Sequence, residues 1–108
     1  MLTIIRIENL KLLKDVEEHE IIIRVDRSSP LGNPFYLKDE SCRDEVCDKY
    51  QEYFDNIVAN PNENEVFMNE LRRIYKLSKK YDVILGCWCH PKRCHAETIL
   101  NFLKQYID

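Results

Sequence analysis

The sequence predicts one α/β domain over residues 1–108, with a small, at least partly parallel sheet flanked by helices in a Rossmann-like layered arrangement. A chain of 108 residues has room for one modest core. Short β-branched runs alternate with longer segments in which apolar residues recur at helical spacing. The last β-branched run has a predicted helix on each side, which is typical of a parallel sheet.

Three apolar segments predict the strands. Residues 2–7 and 20–25 are rich in isoleucine, and residues 81–88 contain Val-Ile-Leu followed by glycine. The uninterrupted Ile21-Ile22-Ile23 run predicts a strand that is buried on both faces. Residues 10–16, where leucines lie among charged side chains, predict either a short helix or an edge strand.

Three segments with helical periodicity predict the helices at residues 42–59, 64–80 and 91–106. Ser41 is expected to cap the first helix, and Asn60-Pro61 ends it.

Composition excludes several classes of protein. The net charge is −3 and no basic stripe is visible, so non-specific nucleic-acid binding is disfavoured. No signal peptide is recognisable, and no apolar run approaches the roughly 20 residues of a membrane helix, so we expect a cytoplasmic protein without a membrane partner. The chain has five cysteines, an odd number, and disulfides are unusual in the cytoplasm. We therefore expect reduced thiols, free or bound to metal.

Residues 26–40, here called the serine-proline loop, follow the second predicted strand. The loop holds two prolines and one of the two glycines of the chain, so it cannot form a regular helix or central strand. Gly32 is expected to adopt a positive φ or to allow close backbone approach. Ser28 and Asn33 are candidate ligand contacts, whereas the alternative is a structural Ω-loop fixed by Phe35. Arg43 opposes the dipole of the helix that follows, which predicts an anionic partner, either the ligand or a nearby acid.

Residues 86–95, here called the cysteine turn, carry three of the five cysteines and two of the three histidines. The turn follows the third predicted strand. Ligands of parallel sheets bind beyond the carboxyl ends of the strands. If the second and third strands are parallel neighbours, the cysteine turn and the serine-proline loop meet at one edge of the sheet.

The cysteine turn is compatible with three kinds of chemistry. Cys87, Cys89, Cys94 and His95 are ligand types that zinc prefers, with His90 as a further candidate, although the Cys-x-Cys spacing is unusual. Cys94, close to two histidines and two basic residues, could be a nucleophile. The alternative is a structural role, in which these cysteines pack as small apolar residues.

Anion binding is the third possibility and requires no unusual geometry. The predicted first turn of the last helix offers backbone N–H groups, with Lys92, Arg93 and His95 around them. Arg27 of the serine-proline loop would add a charge, and Trp88 or Phe35 could stack on a base.

Two motifs in this order resemble those of a small domain family of unknown function found in bacteria and their phages. The motifs are Arg-Ser-Ser-Pro-Leu-Gly-Asn-Pro-Phe at residues 27–35 and Gly-Cys-Trp-Cys-x-Pro-x-x-Cys-His-Ala at residues 86–96, with Arg43 and a Tyr50/Tyr53 helix between them. The resemblance implies the location of a site but assigns no activity to it.

The leading hypothesis is a small, phage-type protein that binds a phosphate-bearing nucleotide, or a ligand derived from one, between the two loops. An enzyme that uses zinc or cysteine on a nucleotide-like substrate is the alternative, and zinc is the one cofactor considered. A protein-interaction module that inhibits a host factor, with Trp88 and Phe35 as anchors, is a further possibility. The sequence does not determine the oligomeric state. The predicted ligand-binding residues are Arg27, Ser28, Asn33, Phe35, Arg43, Cys87, Trp88, Cys89, Lys92, Cys94 and His95.

Overall fold

The computed structural model describes residues 2–6, 19–36, 38–88 and 92–106. The elements in chain order are β1 (Leu2–Arg6), β2 (Glu20–Arg24), α1 (Arg43–Ala59), α2 (Glu65–Ser78), β3 (Asp82–Cys87) and α3 (His95–Lys104). Single 3-10 turns precede the first two helices, at Glu40–Cys42 and Pro61–Glu63. The predicted small α/β fold is confirmed. The segment at residues 10–16, for which the sequence left helix and strand open, lies outside the described residues.

Within the described residues, three strands form a parallel sheet in the order β1-β3-β2. Leu2 and Ile21 are both in register with Val83, so the central strand pairs with one neighbour on each side. The backbone of Val25 extends the pairing by one residue, because its N–H donates to the carbonyl of Gly86 at 2.9 Å. Parallel strands end at the same edge of a sheet. The chain therefore leaves β2 and β3 at one edge, as the sequence predicts.

The helices pack against one face of this sheet. Ile23, Val83 and Leu85 lie on that face and are buried. The core that they share with the helices includes Tyr50, Phe54, Ile57, Phe67, Leu71, Ile74, Ile99 and Leu103.

The prediction that β2 is buried on both faces is wrong. Ile23 is buried, but Ile21 and Ile22 are only half-buried. β2 is an outer strand of the three-stranded sheet, and Ile22 points away from the face on which the helices pack. A β-branched run therefore predicted the strand correctly but overestimated its burial.

Two helix starts differ from the sequence prediction. Ser41 does not cap α1; instead, the Asp39 carboxylate accepts from the Ser41 N–H at 2.9 Å and caps the 3-10 turn before it. α3 begins at His95 rather than at residue 91, because Cys94 has extended backbone angles (φ −150°, ψ 170°). Within the described ranges, every helix is too short or too polar to cross a bilayer.

Candidate functional site

The serine-proline loop and the cysteine turn enclose a cavity of about 360 Å³ at the carboxyl edge of the sheet. The start of α1 closes a further side. The structure places around the cavity seven of the predicted residues, namely Arg27, Asn33, Phe35, Arg43, Trp88, Cys94 and His95. Ser28, Cys87 and Lys92 do not line it, and Cys89 lies outside the described residues. Three lining residues were missed by the sequence prediction, namely Asp26, Val46 and Cys47. A fourth, Arg93, was expected near a bound anion but was not among the predicted ligand-binding residues.

Asp26 connects the two loops. Its buried carboxylate accepts from the Trp88 indole Nε1–H at 3.0 Å and from the Ser28 N–H at 3.1 Å. The Arg24 guanidinium and the Ser28 hydroxyl also donate to it. Burial alone would raise the pKa of Asp26, but these hydrogen bonds outweigh it and hold the pKa well below its usual range. Asp26 is therefore a carboxylate at neutral pH, and its charge is compensated from within the protein.

The serine-proline loop is held in a tight turn. The Ser29 N–H donates to the Asp26 carbonyl at 2.9 Å, and the Gly32 N–H donates to the Ser29 carbonyl at 3.0 Å. A Cβ atom on Gly32 would lie 2.6 Å from the Asp26 carbonyl oxygen, so only glycine fits without backbone movement. The predicted close backbone approach is thus present.

The far side of the same loop is anchored to α1. Leu31 is fully buried, and the Tyr50 hydroxyl donates to its carbonyl at 2.7 Å. The Asn33 Oδ1 accepts from the Phe35 N–H at 2.9 Å, so this oxygen already forms a hydrogen bond that stabilises the turn. Both features give the loop a fixed shape at the cavity.

His95, the first residue of α3, lies against the floor of the cavity. Its Nε2 bonds to the Val25 carbonyl, which can only accept, so we assign the proton to Nε2. The imidazole also packs edge-on against the Tyr50 ring, with centroids 5.1 Å apart. Burial lowers the pKa of His95, with smaller opposing contributions from the Val25 bond and Asp26. His95 is therefore neutral at pH 7.

The cations on the α1 side of the cavity are paired with carboxylates. Arg43 donates to the two Glu40 carboxylate oxygens at 2.9 and 2.8 Å, and to the Arg93 carbonyl at 3.0 Å. Lys92 contacts Glu40 at 3.3 Å. Hydrogen bonds from Arg43 and Lys92 lower the pKa of Glu40 to about 2. The position of Arg43 at the helix start predicted an anionic partner, either the ligand or a nearby acid, and the structure shows a nearby acid, Glu40, beside it.

Arg93 is paired in the same way, with Asp44 at 3.1 Å and Asp48 at 2.8 Å on the surface of α1. The hydrogen bonds that Arg93 donates to these two carboxylates raise its pKa above the usual arginine value.

Arg27 has different partners. Its Nε donates to the Asn33 carbonyl at 3.3 Å and its Nη2 to the Phe35 carbonyl at 3.4 Å. The guanidinium lies 3.9 Å from the centroid of the Tyr36 ring. Among the described residues, no carboxylate forms an ion pair with Arg27, although it lines the cavity.

The start of α3 differs in detail from the predicted anion-binding site. Lys92 and Arg93 precede the helix instead of lying in its first turn. The Glu97 carboxylate accepts from the Cys94 N–H at 2.9 Å, while the Cys94 side chain accepts from the Glu97 N–H, which together form a capping box. A carboxylate of the helix itself therefore already accepts from one backbone N–H at this helix start.

The thiols of Cys87 and Cys94 are buried and in contact, with their sulfur atoms 3.1 Å apart. The described residues contain no group of three or more His, Cys, Asp or Glu side chains suited to a metal ion. His95 directs its Nε2 to a backbone carbonyl, so that nitrogen is already engaged.

Comparison with known proteins gives one result. A search of curated proteins and a search of solved structures found no match. A family model, described as a domain of unknown function (DUF4326), matches residues 9–105 and so includes both loops and all three helices. The chain therefore belongs to the DUF4326 family.

Proposed function

We propose that the cavity binds a small phosphate-bearing ligand, a nucleotide or a molecule derived from one. Arg27 carries this proposal, because it is a guanidinium at the cavity whose described partners are backbone carbonyls and an aromatic ring rather than a carboxylate. Arginine binds phosphate through two parallel hydrogen bonds. A phosphate can replace the two long bonds that Arg27 makes to the loop backbone without separating an ion pair.

Two aromatic side chains supply surfaces for a planar group. Trp88 is 49% exposed, and its indole is held in one orientation by the bond to Asp26. Phe35 is half-buried and packs edge-on against Tyr53, with ring centroids 6.0 Å apart. A ring that is fixed yet exposed loses little conformational freedom when a base stacks on it.

The size of the cavity limits the ligand. A volume of about 360 Å³ is at the lower end of the range for small-molecule sites, roughly 300 to 1,000 Å³. This size favours a mononucleotide over a dinucleotide or a nucleic-acid strand. The mild net charge of −3 also argues against a polyanionic partner.

The test is binding of nucleoside mono-, di- and triphosphates and cyclic nucleotides, measured by thermal shift and calorimetry, with the matching nucleosides as controls. We expect at least one nucleotide to raise the melting temperature and its nucleoside to bind more weakly. Chromatography of the nucleotide after incubation distinguishes simple binding from the enzyme alternative. If no nucleotide stabilises the folded protein, the proposal is wrong.

Arg27 and Arg93 form a matched pair for mutation, because both line the cavity and only Arg93 is paired with carboxylates. Arg27→Gln is expected to weaken binding by about 10- to 100-fold, because a hydrogen bond between charged groups is lost. Arg93→Gln is expected to leave the affinity nearly unchanged and to alter the free energy of unfolding by less than about 1 kcal/mol. Equal losses of affinity in the two variants would contradict the role assigned to Arg27.

A further inference from the structure

We propose that Cys87 and Cys94 are a redox-active pair, which a hydroperoxide converts into an intramolecular disulfide. The inference is independent of the ligand proposed above, since it concerns the thiols alone. Their sulfur atoms lie 3.1 Å apart. This distance is shorter than the roughly 3.5 to 4.0 Å at which non-bonded carbon atoms usually pack. A disulfide bond is about 2.05 Å long, so bond formation requires the two atoms to approach by about 1 Å.

The two cysteines lie on different elements. Cys87 is the last residue of β3, and Cys94 is the N-cap of α3. Both are held by regular structure, β3 by its neighbouring strands and α3 by its capping box. The contact between the thiols therefore follows from the packing of the strand end against the helix start.

Access to the pair is asymmetric. Cys94 lines the cavity, whereas Cys87 does not line it and is fully buried. A hydroperoxide as small as hydrogen peroxide can reach Cys94 through the cavity. The Glu97 N–H donates to the Cys94 sulfur, and such a bond favours the negative charge of the nucleophilic thiolate. Cys94 is thus the attacking residue and Cys87 the resolving one.

The reaction balances in two steps. The Cys94 thiolate attacks one oxygen of hydrogen peroxide, the O–O bond breaks, and a sulfenic acid and hydroxide form. The hydroxide takes up the proton that Cys94 had released, which yields water. The Cys87 sulfur then attacks the sulfenic sulfur, the S–O bond breaks, and the departing hydroxide leaves as water with the Cys87 proton. Two thiols lose two electrons in total, and one peroxide yields two molecules of water.

The wild-type protein provides the primary test. The folded protein is treated with hydrogen peroxide, its remaining thiols are alkylated under denaturing conditions, and disulfide-linked peptides are identified by mass spectrometry. Digestion with trypsin and chymotrypsin cuts after Trp88 and after Arg93, so Cys87, Cys89 and Cys94 fall on separate peptides. We expect two of the five thiols to be lost, a link between Cys87 and Cys94, and recovery of both thiols with dithiothreitol.

Several outcomes would overturn the proposal. They are five unreacted thiols, a link from Cys94 to Cys89 or Cys47, and irreversible oxidation of Cys94 without a link. Cys47 is the most informative competitor, because it also lines the cavity.

Two variants test the order of the steps. With Cys87→Ser, Cys94 is expected to remain a sulfenic acid that a 1,3-dione reagent traps. Cys42→Ser, which changes a half-buried cysteine outside the cavity, is expected to form the disulfide as the wild type does. If Cys87→Ser does not fold, the peptide map of the wild-type protein still decides whether the pair forms the bond.

Discussion

The same local turn occurs at each end of the serine-proline loop, once buried and once exposed. Asp26 accepts from the N–H and the hydroxyl of Ser28, and Asp39 accepts from the N–H and the hydroxyl of Ser41. Asp26 is buried, and it also binds Arg24 and Trp88. Asp39 is exposed and caps only the short turn before α1.

The comparison shows that burial, and not the Asp-x-Ser pattern, decides what the turn does. An exposed carboxylate exchanges its hydrogen bonds with water at little cost, whereas a buried one must be satisfied by the protein. The buried turn therefore joins β2, the loop and the residue after β3 into one unit beside the cavity. Three experiments test this difference, and they are given from the largest expected effect to the smallest.

Removal of the charge tests the comparison most directly. Asp26→Asn replaces the charged acceptor of the hydrogen bonds from Arg24, Ser28 and Trp88 by a neutral amide. It is expected to lower the free energy of unfolding by about 2 kcal/mol, measured by urea denaturation. Asp39→Asn, the matched change at the exposed turn, is expected to have a much smaller effect. Similar losses in both variants would show that burial does not separate the two turns.

The pH dependence of stability tests the surroundings of the buried turn. The pKa of His95 is lowered in the folded state from the value of about 6.5 that it has in the unfolded chain. Below about pH 6.5 the unfolded chain therefore binds a proton more readily than the folded protein. Stability is therefore complete above that pH and falls as the pH decreases, by at most about 1.4 kcal/mol per pH unit for one proton.

His95→Gln, which retains a donor for the Val25 carbonyl, is expected to flatten the stability profile below about pH 6.5. Asp26 contributes in a separate window, since its lowered pKa makes its contribution complete above about 3.8 and lost at lower pH. An unchanged slope in the His95→Gln variant, from urea denaturation at several pH values, would contradict the assignment of a neutral buried imidazole.

Trp88→Phe removes one donor from Asp26 and keeps an aromatic ring. The expected loss is about 1 kcal/mol, because the donors from Arg24 and Ser28 remain. The same substitution in the Asp26→Asn background should cost less, and the difference measures the coupling of the two loops through this bond. Strict additivity of the two substitutions would mean that the bond does not couple them.

The helices and strands were predictable because each has a characteristic pattern of apolar residues along the sequence. Isoleucine and valine runs located the three strands that the structure describes, and apolar spacing located its three described helices to within a few residues. The start of α3 was misplaced because its limit is set by the capping of Cys94 by Glu97, which depends on one extended residue rather than on periodicity.

The site was predictable in position but not in its electrostatics. Sequence placed the two loops at one edge, since parallel strands end together. It left open whether the partner of Arg43 is a nearby acid or the ligand. It could not show that Arg93 pairs with carboxylates of α1, while Arg27 has no carboxylate partner among the described residues. It also missed Asp26, whose role depends on burial beside Trp88, a residue distant along the chain.

The central position of β3 has a consequence for synthesis on the ribosome. β1 and β2 each pair with β3, a strand that is translated after both of them and after α1 and α2. The emerging chain can form helical turns early, but these two strands must wait for their common partner. The sheet, and with it the edge where the cavity lies, therefore assembles only after β3 has been synthesised, when this later segment joins two earlier ones.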